Sequence, residues 1–294
     1  ATVIGAIRDD VDFRRILYAD LLYVGNASPA AAADSNAHYR NLENQHADLK
    51  EVLQPSSQVS QYGTPSEAVA GVLTSRAAAQ AFFYAGTNRA MFRFTLMNHM
   101  CRDLEQVKDV SRPSDRIRQD VSRSPGGDSR IFRNNCIGCH SGMDPMAQAF
   151  AYYDWQGEQE GDGGRMLYNT SSDADTGTRV QGKYLINSNN FPWGYITPDD
   201  SWDNYWREGP NANLGWDASG EGHGNGAASL GRELAHSETF ATCQAEKVFE
   251  AVCLRKPADS ADTQQLATMT AAFKNNNYRM KTLFGDAAVY CMGD

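Results

Sequence analysis

Apolar residues recur at helical spacing through much of the chain and lose that spacing in its middle. Phe13, Ile16, Leu17 and Leu21 share one face near the start. Residues 26–36 are rich in Ala, Asn and Ser and read as a loop. Thr64-Pro65-Ser66-Glu67 has the form of a helix start: Thr64 can cap, Pro65 suits the first helical position, and Glu67 can reach back to the Thr64 amide. Two helices are predicted beyond it, over 66–84 and 88–103, parted by Gly86-Thr87-Asn88. Pro113 and Gly126-Gly127 bracket a short polar helix, and a further helix starts near Ser129 and leads into Cys136. Asp144-Pro145 repeats the cap-and-proline form, which predicts helix over 145–155 with Met146, Phe150 and Tyr153 on one face.

From Gly157 to Gly226 the helical period disappears, and Gly, Asp, Asn and Trp dominate. A hairpin is predicted there, with Arg165-Met166-Leu167-Tyr168 facing Arg179 to Ile186. Trp193, Trp202 and Trp206 in this stretch argue for packing rather than disorder. Helices resume over 226–236, 238–253, 261–275 and 279–290. The expectation is a mainly α chain with a long irregular, partly β-hairpin insertion. It forms one domain over 1–294, divided into 1–110, 111–156, 157–226 and 227–294.

Composition narrows the class. No apolar run approaches the ~18 residues of a membrane span. Ala1-Thr2-Val3 lacks the basic and apolar regions of a signal peptide, as a processed exported chain also would. The net charge of −9 disfavours nucleic acid and anionic lipid and suits a basic redox partner. Asp173-Ala174-Asp175 and Asp199-Asp200 lack the spaced ligands of a calcium loop and read as solvated turns.

Cys136-Ile137-Gly138-Cys139-His140 carries the chemistry. C-x-x-C-H is the attachment signature of a c-type haem: two thiols three residues apart form thioethers on one porphyrin edge, and the next residue offers its imidazole to the iron. No strand–helix setting of a redox dithiol surrounds the motif, and Cys243 and Cys253 do not supply a second close pair for zinc. One covalent haem c is therefore expected, with Cys136 and Cys139 as thioether positions and His140 as axial ligand. Met166 and His223 are the candidates for the sixth ligand; Met143, three residues after His140, stays on its side of the ring and reads as packing, and His99 and Met100 sit on an apolar helix before Cys101.

Cys101, Cys243, Cys253 and Cys291 remain, an even number that fits two disulfides and an oxidising compartment. A helix from Cys243 to Cys253 would separate them by about 15 Å, too far for the ~7 Å limit of a disulfide. Cys101 is then joined to Cys243 or to Cys253, and Cys291 to the other.

Asn135-Cys136 through Asp154, NNCIGCHSGMDPMAQAFAYYD with its preceding Asn134, resembles the C-x-x-C-H-x-x-M-D-P pattern of an exported cytochrome c-like family of planctomycete type. The segments DVDFRRILYADLLYVGN, GVLTSRAAAQAFFYAGTNRAMFRFTLMNHMC, FATCQAEKVFEAVCLRKP and NNNYRMKTLFGDA are similar in outline to other family segments, so the resemblance touches most of the chain outside 157–226. It implies an exported, largely helical, mono-haem protein with a cytochrome c-like haem-binding helical core, and implies no particular reaction.

The leading functional expectation is electron transfer in the periplasm or at the cell surface. One alternative is a haem enzyme of peroxidase or oxygenase type, with an open distal position and a polar group such as His223, His236 or Arg165 to assist O–O cleavage. Another is a haem-bearing subunit of a homo-oligomer or larger electron-conducting assembly, with Trp193, Tyr195, Trp202, Tyr205 and Trp206 offering an interface.

Overall fold

A computed structural model describes residues 1–292. The fold is mainly α. Its first part holds α1 (Thr2–Arg8), a 3₁₀ turn over Phe13–Leu17, α2 (Ala37–Asn44), α3 (Leu49–Val52) and α4 (Gln58–Tyr62), with β1 (Leu22–Val24) antiparallel to β2 (Gln54–Ser56). Phe13, Ile16 and Leu17 are buried as their spacing predicts, although the turn that carries them is short.

The helix expected over 66–84 is broken into 3₁₀ turns at Ser66–Ala68 and Gly71–Thr74, and α5 covers only Arg76–Phe82. Ser75, not Thr64, caps it, accepting from the Ala78 amide. Helix α6 runs from Arg89 to His99. The polar helix expected between Pro113 and Gly126 does not form: its residues lie in turns, and Arg118 and Asp120 spend their hydrogen bonds on Thr87 and Arg89 instead.

Asp128 caps α7 (Ser129–Ile131), which continues through a π-helical turn at Phe132–Cys136 into α8 (Ile137–Ala147). The helix predicted to begin at Asp144-Pro145 is thus overturned in part. Both residues lie inside α8, and the chain leaves it through a 3₁₀ turn at Gln148–Phe150 into β3 (Tyr153–Gln156). Helix α8 is pinned by aromatic packing: a Cβ on Gly142 would stand 1.9 Å from Nε1 of the buried Trp206, so only glycine admits the indole.

β3 is the partner of β4 (Arg165–Tyr168), with Trp155 opposite Met166. The hairpin therefore joins 153–156 to 165–168, and residues 179–186 form a 3₁₀ turn at Gly182–Leu185 rather than its second strand. The rest of the irregular middle includes 3₁₀ turns such as Tyr205–Arg207, and β5 (Ser201–Asp203) antiparallel to β6 (His223–Asn225). It is packed, not loose: Trp202, Trp206 and Leu214 enter the main core. Helices α9 (Gly226–Ala235), α10 (Glu238–Cys253), α11 (Ser260–Asn275) and α12 (Met280–Cys291) close the chain much where their period predicts. One apolar core draws residues from Ala6 to Ala287. No helix among the described residues is long and apolar enough to cross a membrane.

Of the two pairings open from sequence, the structure has Cys101–Cys243 and Cys253–Cys291, with Cα atoms 5.3 and 5.5 Å apart. The first ties the end of α6 to α10, the second α10 to α12. Two such bridges fit an oxidising compartment.

Candidate functional site

Cys136 and Cys139 are the free cysteines, both half-buried, while the other four are bridged. Helical spacing sets Cys136, Cys139 and His140 along one side of the π-turn and α8. Their helix is held from behind. Gly138 accepts at its carbonyl from the Asp109 amide at 2.9 Å, and Ser141 Oγ donates to the Asp109 carbonyl at 3.0 Å. Burial, followed by the Glu105 charge, raises the Cys139 thiol above its usual pKa.

The decisive geometry lies one turn on. His140 Nδ1 is 3.0 Å from Asp144 Oδ1; the His140 side chain is 21% exposed and that of Asp144 is 0% exposed. Asp144 accepts at both oxygens: Oδ1 also takes Arg89 Nε at 2.7 Å, and Oδ2 takes Arg89 Nη2 at 2.8 Å and the Arg118 amide at 3.2 Å. Burial alone would raise this carboxyl, but the charge of Arg89, then that of His140, and their hydrogen bonds hold it well below the usual carboxylate range. An ionised carboxylate only accepts, so the His140 ring donates to it from Nδ1 and Nε2 is the ring nitrogen that faces away from this contact. Arg89 is fixed in turn by Asp120, 2.9 Å from Nη2 to Oδ1. Asn88, left-handed at φ 60°, starts α6 and donates to the Phe150 and Tyr153 carbonyls at 2.7 and 2.9 Å. Helix α6 thus delivers Arg89 to the buried end of α8.

This donor set fits a covalent haem. Two unbridged, accessible thiols and an imidazole whose Nε2 faces away from Asp144 share one helix side, and a buried carboxylate fixes the ring as metal-bound histidines are commonly fixed. Among the described residues no group of three or more His, Cys, Asp and Glu gathers as a metal cage. Gly138 is not held to glycine by crowding, since a Cβ there meets Val110 at an ordinary 3.4 Å.

The other sequence candidates lie in settings of their own. Met166 sits on β4 opposite Trp155, packed on the main core. His223, exposed on β6, stands 3.5 Å from Glu221 and shares a small cavity with His236 and Trp202. Neither Met166 nor His223 makes a hydrogen bond or ion pair with the motif, and Met143 is buried in the core. Of the aromatic residues offered as an interface, Trp202 and Trp206 are core, whereas Trp193 is 84% exposed and set edge-on to Phe191. Asp173 and Asp199 accept from the amides two residues on, at 2.9 and 2.8 Å, as turn residues do.

Arg89, Asp120 and the role of Asp144 escape the sequence reading. Asp144 stands four residues after His140, the one available signal, but the following proline makes it read as a cap. The chain matches no family model, no curated protein and no solved structure in comparisons with known proteins.

Proposed function

We propose that this protein is an exported c-type cytochrome with a cytochrome c-like helical core. It carries one haem through Cys136 and Cys139 with His140 as axial ligand, and it transfers electrons to a partner protein. The observation that carries the reading is the His140–Asp144–Arg89 chain behind a C-x-x-C-H with both thiols free. A haem held there supplies a one-electron iron couple. The residues present would set its properties: Asp144 orients the imidazole and raises its basicity, Arg89 keeps Asp144 ionised, and the acidic chain favours a basic partner.

The same Asp144 contact favours a second reading, a haem enzyme with an open distal side, because an anionic partner on the axial histidine enriches the iron in electrons. Two measurements decide. Protein made in a host with haem-attachment machinery is expected to keep haem through denaturing electrophoresis, and Cys136→Ser with Cys139→Ser to lose it; a wild-type chain without covalent haem overturns the reading. The reduced spectrum is then taken with carbon monoxide. An unchanged low-spin spectrum supports electron transfer, and a rapid shift transfers the case to the enzyme.

A further inference from the structure

A cavity of about 580 Å³ opens between α1, α5, α6, α10 and α12. Its body is apolar, lined by residues such as Ile7, Val72, Met91, Phe94 and Val248, and its size falls in the range of small-molecule sites. One end is different in chemistry. His99, at the end of α6, and Lys247, on α10, line it there, and the described lining contains no Asp or Glu. Lys247 Nζ donates to the Asn98 carbonyl and has no carboxylate partner among the described residues. The His99 ring makes no hydrogen bond to the described protein; only its backbone carbonyl is used, accepting from Gln244 Nε2 at 3.1 Å.

We propose that this cavity binds an amphipathic carboxylate, its alkyl chain in the apolar body and its head at Lys247 and His99. An exposed ammonium without a carboxylate partner at the rim of an apolar chamber is complementary to one class of ligand: an anion with a hydrocarbon tail. Burial, then the nearby Lys247 charge, pushes His99 down to about 3, so its ring is neutral and offers one N–H to the head. Helix α6 carries Arg89 toward the Cys136–His140 motif and Met91, Phe94 and His99 toward the cavity, so the two sites share a helix but no residue among those described.

The test is calorimetric titration of the full chain with dodecanoate and with methyl dodecanoate. The acid is expected to bind one to one, about tenfold or more tighter than the ester, and affinity to rise roughly three- to fourfold per methylene from octanoate to dodecanoate. Lys247→Met is expected to remove the preference for the acid and leave the ester unchanged. Ala78→Phe, which fills the cavity, is expected to abolish both. Equal binding of acid and ester, no binding, or an unchanged preference in Lys247→Met overturns the proposal. So does a dimer that Ala78→Phe dissolves, which gives the cavity to a second copy. The titration reads no haem signal, so its failure is separate from any failure of haem attachment.

Discussion

Asp144 joins a metal-ligand candidate to two arginines through four accepted hydrogen bonds, with no exposure of its own. Asp144→Asn keeps the shape and removes the charge. Arg89 then has Asp120 as its one remaining carboxylate among the described residues, and the His140 Nδ1–H loses its anionic acceptor. The expected result is a loss of about 3–5 kcal/mol in unfolding free energy, typical of a broken buried pair, with a reduction potential shifted upward by redox titration. A variant with wild-type potential would show that the carboxylate does not act on the iron. The three motif residues were candidates from sequence because C-x-x-C-H is a five-residue signature. The supporting residues were not. Arg89 and Asp120 lie 55 and 24 positions from Asp144 in the chain, and only tertiary packing of α6 on α8 makes them neighbours.

At the scale of elements, regular period was readable and punctuation was not. Helices α9 to α12 follow their apolar spacing, whereas Asp144-Pro145 sits inside a helix that its own local preference argues against. The buried ion pair of Asp144 and the close seat of Trp206 on Gly142 outweigh that preference. Gly142→Ala is expected to force the indole away and cost about 1–3 kcal/mol or more, read by denaturant unfolding. The hairpin was misassigned for a related reason: β4 pairs with a strand, β3, that the same proline had made look helical.

The C-terminal helices contain a second carboxylate clamp. Asp262, capped into α11 by Asp259, accepts from Arg255, from the Ala258 amide at 2.7 Å and from Tyr290 at 2.9 Å. The Arg255 hydrogen bond first, then the Ala258 amide and Tyr290, hold its carboxyl well below the ordinary range, against the opposing effect of burial. A depressed folded value means stability that is full above the unfolded carboxylate pKa of about 4 and is lost as pH falls through the folded one. Asp262→Asn is therefore expected to lower the melting temperature at neutral pH and to flatten its fall in acid; a parallel acid limb in both proteins would exclude the clamp.

Over the whole molecule, one core runs through both ends of the chain and through the irregular middle. Patterning revealed the helices of that core but not the parts supplied by Trp202 and Trp206, whose spacing has no period. The 142-residue span of the Cys101–Cys243 bridge has a consequence for the order of assembly. The haem-motif thiols lie inside that span, about a quarter of the way from Cys101, so in an open chain loop closure favours them over Cys243 by about 1.2 kcal/mol, or roughly eightfold. An oxidant acting before the motif is occupied would thus tend to make the wrong bridge. The proposed haem attachment at Cys136 and Cys139 would remove both competitors and leave the native partner. Oxidative refolding of the haem-free chain is expected to yield Cys101 joined to Cys136 or Cys139 by peptide mapping, and the same refolding after those two thiols are blocked to yield Cys101–Cys243. The cofactor would then serve the fold first as a protecting group, before it carries any electron.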